Sequence, residues 1–177
     1  MFSPLEAADQ RFSGVVIGIV SDVEDPDGIG RVKVTLPWYA GGYEQWARVS
    51  QLYAGSGYGS TWVPEVHGEV LVAFAHGDMR WPYVIGCLHG KVDKPPVSRS
   101  ASTDIRTIRT PSGSELSFDE RNGVIQVKTP SGASLRLEEK SGELTLQATS
   151  KISLKAPEVS IEGTRQVTVK GRKIALN

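Results

Sequence analysis

Residues 134–176 read SLRLEEKSGELTLQATSKISLKAPEVSIEGTRQVTVKGRKIAL. Pairs of apolar residues with one residue between them recur through this stretch: Leu135/Leu137, Leu144/Leu146, Ile152/Leu154, Val159/Ile161, Val167/Val169 and Ile174/Leu176. The series begins upstream, with Leu116/Phe118 and Ile125/Val127, and its second members lie 9, 10, 9, 8, 7, 8 and 7 residues apart. Within each pair, alternate residues point to one face and the residue between is mostly polar, the period-2 mark of a strand with one dry side. A strand this narrow cannot bury its dry side alone, and short repeats that stack only on their neighbours build a rod. The second half of the chain is therefore expected to be a stiff β-needle made from several chains.

Composition divides the chain in the same place. Of 13 aromatic residues, 12 precede residue 97, together with all three His and the single Cys, which leaves Phe118 as the one aromatic of the repeats. Large side chains suit a closed core, and small or branched ones suit a thin prism. Residues 1–96 carry 7 Lys/Arg and 11 Asp/Glu, whereas residues 97–177 carry 13 and 9, so the net charges are −4 and +4. No field of one sign covers the whole chain to attract nucleic acid or an anionic membrane. No segment approaches the ~20 apolar residues of a membrane span. The N-terminus also lacks the basic, apolar, small-residue order of a secretory signal, so the expectation is a chain made and kept soluble in the cytoplasm. Cys87 has no internal partner for a disulfide, and its apolar neighbours Val84, Ile85, Gly86 and Leu88 suggest a buried, inert thiol.

Five strand-like runs lie between Gly14 and Leu88: residues 15–22, 31–36, 45–52, 69–75 and 83–88. The connection Asp25-Pro26-Asp27-Gly28 is a turn, because Pro presets φ and Gly accepts positive φ. Five short strands in about 75 residues, with Gly-containing loops and no helical periodicity, suggest a small Greek-key barrel of the OB type.

Four strings then carry a family resemblance: GRVKVTLPW from Gly30, WARVSQLYAGSGYG from Trp46, PEVHGEVLVAF from Pro64 and HGDMRWPYVIGCLHG from His76. They resemble the OB domain of VgrG proteins and of the phage baseplate spikes of the assembly-protein-V type. The repeats resemble that family's triple-stranded β-helix, and Ile161-Glu162-Gly163 and Val169-Lys170-Gly171 follow its octad pattern. The resemblance implies an all-β chain: an N-terminal OB-fold barrel followed by an intertwined trimeric β-helix needle. The expected divisions are an arm at 1–13, the OB domain at 14–95, a linker at 96–104, a β-meander neck at 105–134 and the needle at 135–177. Thr110-Pro-Ser-Gly113 and Thr129-Pro-Ser-Gly132, repeated at a spacing of 19, and the turn Asn122-Gly123 suggest the meander.

The function implied is structural: the trimeric central spike of a contractile injection machine, which joins a baseplate hub to a tip protein and pierces the target envelope. Leu135, Leu137, Leu144, Leu146, Ile152, Leu154, Val159, Ile161, Val167 and Val169 are expected to face the threefold axis. Only about 13 residues precede the barrel, so the hub is expected to be a separate protein. Ile174, Ala175, Leu176 and Asn177 are expected to dock a PAAR-type tip, and contact with the target membrane would be transient. The polar residues 97–104 leave no room for the lysozyme that some phage spikes insert there. The particle would be a phage tail, a tailocin or a related injection system.

Motifs for chemistry do not assemble. The Gly-rich loop 55–61 lacks the Lys and the helix of a phosphate-binding loop, and is expected to be a plain connection. His67, His76 and His89 have no zinc spacing. Asp22, Glu24, Asp25 and Asp27 lack the order of a calcium loop and suggest a solvated turn. No nucleophile elbow is present. The chain is expected to be no enzyme and to use no metal or cofactor. Two alternatives remain open: an OB protein that binds single-stranded nucleic acid by stacking on Trp38, Tyr39, Tyr43, Tyr53 and Tyr58, and a trimeric fibre or adhesin. Against the first, the barrel is net negative, and the aromatics are expected to pack the barrel or its subunit contacts.

Overall fold

The β-strand Val15–Asp22 (β1) alternates from its third residue on: Gly18 and Val20 are buried, while Ile17 and Ile19 turn outward. The computed structural model describes residues 11–98 and 104–175, and their contacts fall into two compact units that divide between Pro95 and Pro96. In the first unit β1 is followed by β2 (Arg31–Thr35), β3 (Glu44–Val49), the two-residue strands β4 (Ala54–Gly55) and β5 (Tyr58–Gly59), then β6 (Glu69–Phe74) and β7 (Pro82–Cys87). Strands β1, β2, β3, β7 and β6 close a barrel in that order. Only the β3–β7 pair is parallel, with Arg48 opposite Tyr83 and Val49 opposite Val84. The barrel class expected from the five runs is present, and four of its strands begin or end within one residue of the predicted runs. The third run ends sooner, at Val49 rather than residue 52.

Val20, Val32, Val34, Val70, Val72 and Val84 are essentially inaccessible and fill the barrel, with Leu36, Ala47 and Phe74. Each of the six valines contributes about 1.5–2 kcal/mol by leaving water. Gly18 is required here by contact: a Cβ on it would lie 3.0 Å from Val72 Cγ2 and 3.3 Å from the Thr35 carbonyl oxygen. Phe12 packs at 5.1 Å from Trp38 and 6.0 Å from Phe74, and its amide donates to the Gly77 carbonyl. The visible end of the expected arm thus folds back on the barrel; its first ten residues lie outside the described ones.

Three local expectations are corrected. Asp25 does not belong to a solvated turn: its side chain is 4% exposed and accepts hydrogen bonds from the amides of Asp27, Ile29 and Arg31 and from the Arg31 guanidinium. The guanidinium holds its carboxyl far below the usual carboxylate range. Cys87 is exposed, not buried. It is the last residue of β7, opposite Val70 and past an irregularity in the pairing of β6 with β7 between Leu71 and Val72. The loop at 55–61 is a short ribbon, in which the rings of Tyr53 and Tyr58 lie 5.4 Å apart.

In the second unit, β8 (Ile105–Arg109), β9 (Glu115–Asp119), β10 (Val124–Lys128), β11 (Ser134–Glu138) and β12 (Glu143–Gln147) form an antiparallel meander. The two Thr-Pro-Ser-Gly loops are built alike: the Gly amide donates to the Thr carbonyl, and each Gly has φ 90°. The sheet therefore takes in β11 and β12, which the sequence reading assigned to the needle. It stops where the spacing of the dyads falls from 9–10 to 7–8 and the Asn-Gly and Ser-Gly turns at Gly123 and Gly142 are not repeated. From residue 148 to 175 the chain has no strand pairing of its own, and every residue from Thr149 to Ala175 is exposed.

Candidate assembly surface

The register of the meander sorts its residues into two unlike faces. Across β8 to β12, one row runs Arg106, Phe118, Ile125, Leu137, Leu144, and the next row on the same face runs Ile108, Leu116, Val127, Leu135, Leu146. Nine of these ten positions are apolar. The opposite face carries Thr107, Ser117, Gln126, Arg136, Thr145 and a charged row in which Glu115, 6% exposed, receives Arg109 and Lys128. Burial pushes the Glu115 carboxyl up, but the hydrogen bonds from Arg109 and Lys128 outweigh it and hold it below the usual range.

Two rows spaced about 7 Å apart and five strands at about 4.8 Å each make a strip that is narrow along the strands and long across them. Among the described residues, nothing covers it. Leu144 is 63% and Leu146 52% exposed, and Ile108, Phe118, Ile125, Val127 and Leu137 are exposed as well. The strip is continued in sequence by Ile152, Leu154, Val159, Ile161, Val167, Val169 and Ile174, all at least half exposed. A monomer rarely leaves so continuous an apolar surface in water. Open backbone groups add to it, since segment 148–175 makes none of the ladder hydrogen bonds that strands normally satisfy.

Of the ten expected axis residues, Leu135, Leu137, Leu144 and Leu146 come together on one face of the sheet, and the other six lie on the unpaired segment. Ile108, Leu116, Phe118, Ile125 and Val127 join the four, although the sequence reading did not include them in that list. Of the four expected tip-docking residues, Ile174 and Ala175 are exposed, and Leu176 and Asn177 lie outside the described residues.

On the barrel, Tyr39 and Tyr43 pack against the core, and the Tyr43 hydroxyl donates to the Met79 carbonyl at 2.8 Å. Burial pushes that hydroxyl up to about 12. Trp38, Tyr53, Tyr58, Trp62 and Trp81 are exposed. Of the cations in this unit, Arg31 pairs with Asp25 and Arg80 with Asp78, while Lys33 lies over the Trp46 ring at 5.0 Å and Arg48 over Tyr83 at 6.0 Å. Stacking surface is present, but residues 1–96 are net negative, and single strands are held by positive charge beside the stacked bases. Among the described residues, no group of three His, Cys, Asp or Glu is placed to hold a metal ion, and no helix is long and apolar enough to cross a membrane.

Residues 16–89 match the model of the type VI secretion system/phage-baseplate injector OB domain, over the span of the barrel strands. The barrel is thus an injector OB domain of the VgrG and baseplate-protein-V type. It is 35% identical over 135 residues to the actin cross-linking toxin VgrG1 of Vibrio cholerae, a match that spans 70% of this chain and 12% of that protein. It is 38% identical over 112 residues to the type VI secretion system spike protein VgrG3 of Vibrio cholerae, covering 57% of this chain and 11% of the relative. With the spike protein VgrG4b of Pseudomonas aeruginosa it shares 32% identity over 139 residues, 70% of this chain and 17% of the other. The chain thus spans between a tenth and a fifth of the length of these relatives. The cross-linking activity in the first name is that relative's own.

Proposed function

We propose that this chain is the central spike of a contractile injection machine, assembled as a homotrimer that joins a hub at the barrel to a tip protein at the far end. The observation that carries the reading is the uncovered apolar strip and its continuation in residues 152–174. Three copies that turn the strip inward form a prism whose strands find partners in neighbouring chains, which supplies the hydrogen bonds one chain lacks and leaves no lateral edge to aggregate. Such a rod works by transmitting force, with no turnover and no cofactor. Relatives named as secretion-system spikes support the same reading.

Leu135, Leu137, Leu144, Leu146, Ile152, Leu154, Val159, Ile161, Val167 and Val169 then surround the axis. Ile174, Ala175, Leu176 and Asn177 of three chains then dock a small PAAR-type tip. A chain lacking residues 173–177 should remain a trimer and no longer co-purify with its tip protein. Undiminished binding of the tip to the shortened chain would place the docking site elsewhere.

A further inference from the structure

The two lateral ends of the meander carry opposite charge. At one end, segments 119–123 and 138–143 hold Asp119, Glu120, Glu138, Glu139 and Glu143 against Arg121 and Lys140. At the other, segments 109–115, 128–134 and 147–151 hold Arg109, Lys128 and Lys151 against Glu115. Several of these charges are already spent: Glu120 pairs with Arg106, Glu138 with Arg136, and Glu115 takes both Arg109 and Lys128. Glu139, Glu143 and Lys151 are exposed and have no salt-bridge partner among the described residues.

Each unspent charge borders the apolar strip. Glu139 and Glu143 line a cavity of about 500 Å³ with Phe118, Ile125, Leu137 and Leu144. Lys151 lines another of about 350 Å³ with Val127, Leu135, Leu146 and Ile152. Both grooves lie at the level of β11 and β12, at opposite ends of the strands.

We infer that the occupant of each groove is a second copy of this chain, joined head to tail so that Lys151 of one copy meets Glu139 and Glu143 of the next. The inference rests on the trimeric reading and adds to it the polarity and the residues of the corner. Rotation about an axis parallel to the strip brings the acidic end of one sheet against the basic end of its neighbour at every corner. A heterologous contact of this kind closes a ring when the rotation permits. Complementary ends favour that arrangement, because sheets meeting end to like end would place the unpaired glutamates against one another.

The test uses the full 177-residue chain. Glu139→Lys/Glu143→Lys and Lys151→Glu are each expected to raise the concentration at which the oligomer dissociates by roughly tenfold or more in low salt. The combined charge swap should restore it to within a few-fold of the parent. The parent oligomer should also dissociate more readily at 0.5 M than at 0.05 M NaCl, a measurement that requires no variant to fold. A stable oligomer whose dissociation is unchanged by either reversal and by salt, or one that the combined swap does not rescue, overturns the corner contact while leaving the trimer standing. A parent chain that is monomeric at all concentrations overturns both.

Discussion

Leu146→Asp places three carboxylates on the strip where the account requires it to be sealed. Leu146 sits opposite Leu135 in the register and is 52% exposed in a single chain. Assembly can therefore still bury about half of a leucine, about 1 kcal/mol per copy, and the variant loses it. Each carboxylate must also enter an apolar prism without a cation, at several kcal/mol by order of magnitude. Summed over three copies the cost is roughly 10 kcal/mol, about seven powers of ten in the dissociation constant. The isolated sheet should tolerate the change, since the position faces water there. Thr145→Asp, one residue away on the polar face, is the control and should leave assembly unchanged. Sedimentation velocity across a concentration series reads both. A Leu146→Asp protein that sediments as the parent does, with the same melting temperature, would refute the inward strip.

Further outcomes follow from other parts of the molecule. Val169→Asp, on the unpaired segment, should abolish the trimer or sharply lower its melting temperature in light scattering, with the barrel still folded. Val72→Ala should cost the barrel about 2–3 kcal/mol by lost burial and a residual cavity, read as a lowered midpoint in urea. The Asp78 carboxyl is held at about 2, chiefly by the Arg80 side chain, against an ordinary 3.8. A folded value below the unfolded one gives a contribution complete above about pH 4 and lost as pH falls toward 2, so Asp78→Asn should flatten the acid limb of the barrel's melting curve in that window. The barrel should give no salt-sensitive anisotropy change with single-stranded DNA at physiological salt, because residues 1–96 are net negative; tight binding would favour the nucleic-acid reading.

The barrel was legible because its strands bury alternate valines and end at turn residues: Val15–Asp22 lies where the alternation and the Asp25-Pro26 turn put it. Asp25 was misread because acids grouped in sequence suggest solvent, and only the fold brings Arg31 and three amides to one carboxylate. Cys87 was misread because local apolarity does not say that the residue is the last of its strand. The strip was visible from Leu116 onward as dyads. Its start at Ile108 was not, since Ile105 and Ile108 are three apart and fall on opposite faces of β8, so no dyad announces them. The continuity of β11 and β12 with the neck was hidden for a different reason: dyads look alike whether their partners are in the same chain or another, and only spacing and turn chemistry separate the two.

The most direct test is the mass of the purified protein in solution. Sedimentation equilibrium should give three times the 19.1 kDa of one chain. A mass of 19.1 kDa that persists at high concentration would contradict the trimeric spike.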